Sequence, residues 1–475
     1  MKNLYLVTLL IPFLFSFVIL KTKDEKPRNR ITFVTVIATS ILVWLCIFKT
    51  DYTSYELLKF TDNLVIKIGY DRLGRFFAGI VAVLYPLTTL YAFEYMEDED
   101  RKASFYFFFV LAYLVTIGIT MARNFFTLYV FYELLTLSTT PLVLHTRTIE
   151  AKRATRIYLY LSIGGASLAF LSMIYFVSCN GVILNNHITH LFYLLGFFGF
   201  SVKAAVFPLH VWLPRASAAP TPVTALLHAV AVVKSGVFAI IRLTYYIYGV
   251  ENISGSIAQK IALIFAMFTI VYGSSKALKD MHFKRRMAYS TVANLSYILF
   301  GALLMNEFGL QGSLLHMAFH AEIKILAFFA VGSVMHHTHL EYVDELDGLG
   351  KKMPVTFACY TVAALALTGI PPLAGFVSKV YLIDAALETK TTLSIIGIIA
   401  LIISAILTAI YSLTPVRRAF FPDKDKKQLS DKYHEAGYLM LVPMIMLAIS
   451  IVTTGLFSSS IVEYTASIFE SIVRW

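Results

Sequence analysis

Blocks of apolar residues long enough to cross a bilayer recur along this whole chain, and they leave almost nothing between them. A spanning helix needs roughly 20 mostly apolar residues. About fourteen stretches meet that length, with approximate limits 3–20, 31–49, 73–96, 104–121, 125–146, 155–177, 190–216, 220–247, 258–278, 286–304, 309–336, 354–386, 392–415 and 435–458. The longest connections, near 50–72 and 416–434, are too short for a soluble domain. In hydrocarbon every backbone N–H and C=O must be bonded internally, so long apolar spans fold as helices. The pattern therefore predicts an all-α integral membrane protein with one transmembrane domain over residues 1–475. Composition agrees: 58% of residues are hydrophobic and 15% charged, where soluble domains carry about 25% charged residues. An ordinary soluble enzyme, a disordered chain and a disulfide scaffold are excluded. Cys46, Cys179 and Cys359 lie far apart with no CxxC pair, which argues against a Cys-ligated cluster or zinc site.

Forty Lys+Arg against 29 Asp+Glu give a formal charge of +11. The positives sit in alternate connections: Lys21–Arg30, Arg147–Arg156, Lys276–Arg286 and Arg417–Lys432. The intervening connections Ser178–Thr189, Tyr248–Ile257 and Met305–Phe308 have no such cluster. The positive-inside rule puts the basic set in the cytoplasm. Both termini then lie outside, which needs an even number of spans. The charge is thus a topology signal and not a mark of nucleic-acid binding.

An ionisable residue at a helix centre costs roughly 2.5–3.5 kcal/mol on insertion scales, so those within spans should face protein or water. Glu133 sits mid-span in FFTLYVFYELLTL with no neutralising neighbour in sequence. Lys203 precedes AAVFPLHVWLP, where Pro208 removes a backbone donor and breaks the span. Lys234 lies mid-span in ALLHAVAVVKSGVFAIIRL, with His228 about two turns earlier. His228 reads equally well as a hydrogen-bonded core residue, and Arg242 as a structural pair or interface anchor. His316, His320 and Lys324 are spaced i, i+4, i+8, on one helix face along roughly 12 Å. Imidazoles donate and accept near neutral pH, so this ladder suits a proton relay. It also has a metal-ligand spacing, but no third protein ligand is evident. Glu322 points to roughly the opposite face and should pair elsewhere.

Lys379 lies in LALTGIPPLAGFVSKVYLI, a span broken by Gly369, Pro371, Pro372 and Gly375. A broken span with a nearby buried lysine thus appears twice, five spans apart, and broken helices with internal repeats mark ion sites in transporters. Spans four to eight (104–247) and nine to thirteen (258–415) read as two repeats. Their odd span count makes them inverted, with 1–100 as spans one to three and 416–475 as a cytoplasmic loop, span fourteen and a short tail. Lys324 takes the place of Lys234 or Lys203 in the second repeat. Buried lysines lose protons readily, and a Glu–Lys pair can hold a proton on either partner.

FYELLTL, KAAVFPLHVWLPRASAAPTPVTALLHAVAVVKSGVF, RRMAYSTVANLSYI and GIPPLAGFVSK resemble the antiporter-like subunits shared by respiratory complex I, membrane-bound hydrogenases and Mrp-type cation/proton antiporters. The resemblance covers about residues 70–415. It implies fourteen spans, two inverted five-helix repeats and proton translocation along a central hydrated axis. It matches Glu133, Lys203, Lys234 and Lys379 to the family's charged positions, and His316, His320 and Lys324 less strictly to its relay region. Arg215 departs from the acidic residue that many members carry after WLP. The tail SSSIVEYTASIFESIVRW reads as at most a short amphipathic interfacial helix.

The resulting expectation is a proton-translocating subunit of a complex I-related, redox-driven complex of the hydrogenase or quinone oxidoreductase type, in a prokaryotic cell membrane. Its partners would be further antiporter-like and small helical subunits, the lipid bilayer, H⁺ and possible Na⁺. The chain itself carries no catalytic, metal or cofactor site; Fe–S clusters, flavin or a NiFe centre would sit on partner subunits. The first rival is an antiporter-like subunit of an Mrp-type Na⁺(K⁺)/H⁺ antiporter, for which Asp71, Glu94 and Asp384 are the additional carboxylates available. The remote rival is a non-transporting assembly scaffold, which predicts losses among the buried charges. No nucleotide loop or nucleophile triad supports a stand-alone enzyme.

Overall fold

The computed structural model describes residues 2–62, 64–422 and 433–472. The chain is helical almost throughout. It opens with α1 (Lys2–Lys21), α2 (Glu25–Lys49), α3 (Arg72–Tyr95), α4 (Lys102–Thr120), α5 (Phe125–Val143), α6 (Ile149–Ser178) and α7 (His187–Ser201). Short α8 (Trp212–Arg215) leads to α9 (Thr221–Ala229) and α10 (Val232–Arg242), which runs on as a π-helix over Leu243–Tyr248. The remainder is α11 (Val250–Ile253), α12 (Ile257–Lys279), α13 (Phe283–Leu303), α14 (Glu307–Thr338), α15 (Pro354–Thr368), α16 (Ala374–Thr389), α17 (Thr392–Phe420), α18 (Tyr438–Leu456) and α19 (Ser459–Glu470).

Among the described residues, 11 helical segments are long and apolar enough to cross a membrane. Three expected spans fall outside that set for identifiable reasons. Those near 190–216 and 354–386 are broken into shorter helices. The third, α13, is long enough but carries Ser290, Thr291, Asn294 and Ser296 along its length. Those residues are buried, and two of them line the site described below.

Three local features differ from the sequence reading. The connection near 50–72 contains an antiparallel hairpin of β1 (Tyr55–Lys59) and β2 (Val65–Ile68). The basic clusters are largely helical ends and not loops. Thr148 caps α6 by accepting from Ala151 N, so Lys152, Arg153 and Arg156 lie on its first turns. Likewise Lys276 and Lys279 end α12, and Lys284–Arg286 begin α13. Part of the Arg417–Lys432 cluster, residues 423–432, lies outside the described residues, as do residues 473–475 of the tail. Third, α9 and α10 are separated by a break that the sequence does not announce.

The core is continuous, and α14 is its spine: it packs against α13, α15, α16, α9, α18 and α19. Nearly all of its residues from Gly309 to Val334 are buried. The α19 helix is tied to the bundle. Arg72 Nη1 donates to Ser467 O at 2.8 Å, and Gln311 Nε2 donates to Val462 O at 3.0 Å.

Candidate proton pathway

The first break follows α7. Ala205 adopts φ 55°, in the left-handed region, and Pro208 precedes the 3₁₀ turn Leu209–Val211. The freed backbone groups find partners. Trp212 Nε1 donates to Val202 O at 2.6 Å, and Phe207 N donates to Thr269 Oγ1 at 3.0 Å. Lys203 is fully buried. Its ammonium donates to the Tyr132 carbonyl on α5 and stands 3.4 Å from the centroid of the Tyr132 ring. Glu133, the next residue on α5, makes no ion pair with it here. Glu133 Oε1 has no hydrogen-bond partner among the described residues. The carboxylate borders a cleft of about 420 Å³ between α5 and α6, lined by Tyr129, Ile163, Ala166, Ser167, Phe170 and Leu171. Glu133 and Lys203 are therefore adjacent through Tyr132 but not in contact.

The second break separates α9 from α10. Ala231 N reaches back five residues to Leu226 O at 2.9 Å, and α10 restarts at Val232. His228 lies just before it, with Nδ1 2.8 Å from Thr224 O and Nε2 3.0 Å from Leu213 O. Both nitrogens thus face backbone carbonyls, and no side chain of the axis touches the ring's polar atoms. Lys234 lies just after the break, fully buried. Its Nζ is 2.8 Å from His320 Nδ1 on α14. The α10 helix also presses backbone to backbone on the first break: a Cβ at Gly236 would overlap Ala204 N and the Lys203 carbonyl carbon.

From His320 the polar line continues along α14. The His320 and His316 rings stack with centroids 5.8 Å apart. His316 Nδ1 is 2.9 Å from Ser378 Oγ on α16, and its Nε2 is 3.2 Å from Asn294 Oδ1 on α13. Tyr297 stacks on the opposite side of His316 at 5.3 Å. Lys324 turns to α13, donating to Ser290 Oγ at 2.7 Å and Met287 O at 3.1 Å, and Tyr411 OH donates to the same Ser290 at 2.6 Å.

The third break lies between α15 and α16. Gly369 adopts φ +88°, and a Cβ there would meet the Lys379 side chain. Lys379 Nζ donates to Leu367 O at 2.7 Å and Thr368 O at 2.8 Å, the carbonyls freed where α15 ends. Pro371 and Pro372 lie in the turn, and Gly375 packs on Ala366 O. The two lysine-bearing breaks are thus not identical. Lys203 precedes its proline and bonds to another helix, whereas Lys379 follows its prolines and caps its own break.

The charges outside this line are occupied. Asp71 caps α3 by accepting from Gly74 N at 2.8 Å. It is held by both Arg242 guanidinium nitrogens, Nη2 reaching Oδ1 at 2.6 Å, and by Arg123 Nη1 at 3.3 Å. Glu94 accepts from Met440 N at 3.2 Å and from Gly437 N at 2.6 Å. Asp384 is exposed. Glu322 accepts from Ser450 Oγ at 3.2 Å on α18, away from the histidine face. Among the described residues there is no cluster of three or more His, Cys, Asp or Glu that could hold a metal.

Sequence reasoning did not find Asn294, Tyr297, Ser290, Ser378 or Tyr411. A signal existed for three of them: Ser290, Asn294 and Tyr297 are spaced i, i+4, i+7 and so share one face of α13.

The family model described as NADH:quinone oxidoreductase/Mrp antiporter, TM, matches residues 122–408, which include every residue of this line. A putative antiporter subunit mnhA2 of Staphylococcus saprophyticus is 28% identical over 513 residues, covering 97% of this chain and 63% of the relative. The chain thus spans under two thirds of that relative's length. NADH-quinone oxidoreductase subunit N of Desulforudis audaxviator is 30% identical over 427 residues, covering 84% of this chain and 83% of the relative. Among solved structures, a chain of the membrane-bound sulfane sulfur reductase, an archaeal respiratory membrane complex, superposes with a TM-score of 0.87 at 22% identity, covering 99% of this chain and 98% of that one. A chain of the Mrp complex from Dietzia sp. DQ12-45-1b superposes with a TM-score of 0.86 at 18% identity, with the same coverage. These likenesses show a shared fold. With its apolar helices and this match, the chain is a multi-pass membrane protein that belongs to the NADH:quinone oxidoreductase/Mrp antiporter transmembrane family.

Proposed function

We propose that this chain moves protons along the line of buried charges through the middle of the bundle, as one subunit of a multisubunit membrane complex. The observation that carries the reading is the Lys234–His320 contact at 2.8 Å, prolonged by His316 to Ser378 beside Lys379. Each titratable member can take and release a proton, and each is held by a different helix or break. Glu133 and Lys203 form the first switchable pair: shortening their separation favours the charged lysine, and lengthening it releases the proton. Lys324 branches from the same face and keeps its charge near His320. Lys379 exchanges protons with the far side or with a neighbouring subunit. His228 positions the second break by its two carbonyl contacts.

In this reading the chain crosses the membrane fourteen times, with both termini outside and the basic helix ends in the cytoplasm of a cell. Spans one to three (1–100) precede two inverted repeats (104–247 and 258–415), and 416–475 supply the last span and tail. The chain has no redox or hydrolytic site of its own; any Fe–S cluster, flavin or NiFe centre belongs to partner subunits.

Two parent assemblies suit this conduit. One is a redox-driven complex of the quinone oxidoreductase or hydrogenase type, and the likeness to an NADH-quinone oxidoreductase subunit N supports it. The other is an Mrp-type antiporter, supported equally by the likeness to mnhA2. The occupied carboxylates Asp71 and Glu94 favour protons over sodium within this chain in either case. The deciding experiment is gentle solubilisation of native membranes, pull-down of this chain, and mass spectrometry of its companions. Iron–sulfur and reductase-like companions assign the redox complex. Small membrane subunits alone assign the antiporter. A chain that purifies alone and conducts no protons in liposomes overturns the reading.

A further inference from the structure

We propose that the cleft beside Arg215 binds the phosphate headgroup of an anionic phospholipid, with its acyl chain along α6. This goes beyond the proton-axis reading and does not rest on it. The cleft measures about 650 Å³ and lies on the basic face, where α8, the start of α6 and the turn before α13 meet. Arg153, Arg156, Arg215 and Arg285 line it, against Glu150 and Glu341. Arg285 is already engaged, with Nε 3.1 Å from Asp280 Oδ2 and Nη2 3.2 Å from Oδ1. Glu341 stands 3.6 Å from His282 Nε2. The other three arginines are exposed and take no hydrogen bond or ion pair from described residues. Three guanidiniums opening on one cleft without an acceptor match a phosphate, which the planar fork binds through paired N–H donors. Basic pockets between helices at a membrane face suit acidic lipid headgroups.

The apolar surface next to the cleft selects a lipid over a free anion. Ile157 and Tyr160 line the cleft. From Tyr160 the exposed residues Ile163, Phe170, Leu171 and Ile174 continue along one side of α6 at spacings of three and four. That stripe runs for about 21 Å, longer than half of a hydrocarbon core of about 30 Å. A free phosphate would use the mouth alone. A phospholipid uses the mouth and the stripe together.

The test uses the complex purified from native membranes, stripped of lipid in detergent and read by native mass spectrometry. It is titrated with phosphatidylglycerol, with phosphatidylcholine of the same chains, and with inorganic phosphate. We expect one phosphatidylglycerol retained per chain in preference to phosphatidylcholine. Removing the three free arginines (R153Q/R156Q/R215Q) should weaken its retention by about fivefold per arginine. If the triple variant does not assemble, R153Q and R215Q are measured singly, each expected to weaken retention by about fivefold. Retention unchanged in the variants overturns the site, as does equal retention of the two lipids. Phosphate binding as tightly as phosphatidylglycerol overturns the lipid and makes the cleft a site for a free anion.

Discussion

Lys234 and His320 share a single hydrogen bond of 2.8 Å between α10 and α14, closing the gap between two helices that hold the two ends of the polar line. A charged Lys234 donates to Nδ1, while a neutral Lys234 accepts from Nδ1–H. The contact therefore survives whichever partner holds the proton. His320 Nε2 is buried without a partner, so the other side of the ring is left able to take a proton from the direction of His316.

His320→Gln keeps an acceptor for Lys234 but cannot pass a proton through a ring. Proton flux into liposomes should fall by about 100-fold or more, the usual size of a lost acid–base group. Assembly should be unchanged. Wild-type flux in an assembled variant would show that the histidine is only a packing residue.

Lys203→Ala should abolish coupled proton movement and leave assembly intact. Glu133→Gln should do the same, since Glu133 Oε1 has no hydrogen bond to lose. Subunit content by gel and pH change across proteoliposomes check both. Normal pumping by either well-assembled variant removes that residue from the pathway.

Gly375→Ala addresses the third break. Its new Cβ would collide with Ala366 O, a backbone atom that cannot swing aside. Overpacking of this kind costs about 1–3 kcal/mol. A lower thermal midpoint is expected, together with slowed proton transfer at Lys379; an unchanged midpoint would show that the break opens freely.

Asp71 gives the pH prediction. Burial pushes its carboxyl up, but Arg242 and then Arg123 outweigh this and hold it below the usual carboxylate range. A depressed folded pKa stabilises fully above the unfolded value of about 3.9, and the contribution disappears as pH falls through the folded value. Wild-type thermal stability should therefore drop below about pH 4. Asp71→Asn, which strands two arginines, should cost about 3–5 kcal/mol at neutral pH and flatten that acid limb. Thermal scans of both proteins between neutral and acid pH are the measurement.

The helices were legible because their apolar blocks are long, and two breaks were legible because proline cannot supply an N–H. The break between Ala229 and Val232 was not: HAVAVV contains neither proline nor glycine, and its distortion is set by tertiary packing. The strands Tyr55–Lys59 and Val65–Ile68 are too short for their alternation to stand out. For the candidate site, helical spacing correctly put His316, His320 and Lys324 on one face. It could not say that Lys234 meets His320, 86 positions away, while Lys324 meets Ser290. Nor could it show Tyr132 standing between Glu133 and Lys203. Periodicity gives the direction in which a side chain leaves its own helix, and the partner across the gap depends on how helices are placed against one another.

The absent side chain at Gly236 has a mechanical consequence. Because α10 rests directly on the main chain of Lys203 and Ala204, with no compressible side chain between, neither backbone can shift without the other answering. Lys203 and Lys234 are thus geared together although no hydrogen bond joins them. A rearrangement of the turn after α7 would reset the reach of Lys234 toward His320, coupling the two halves of the line through contact of backbones and not through a continuous wire of protons.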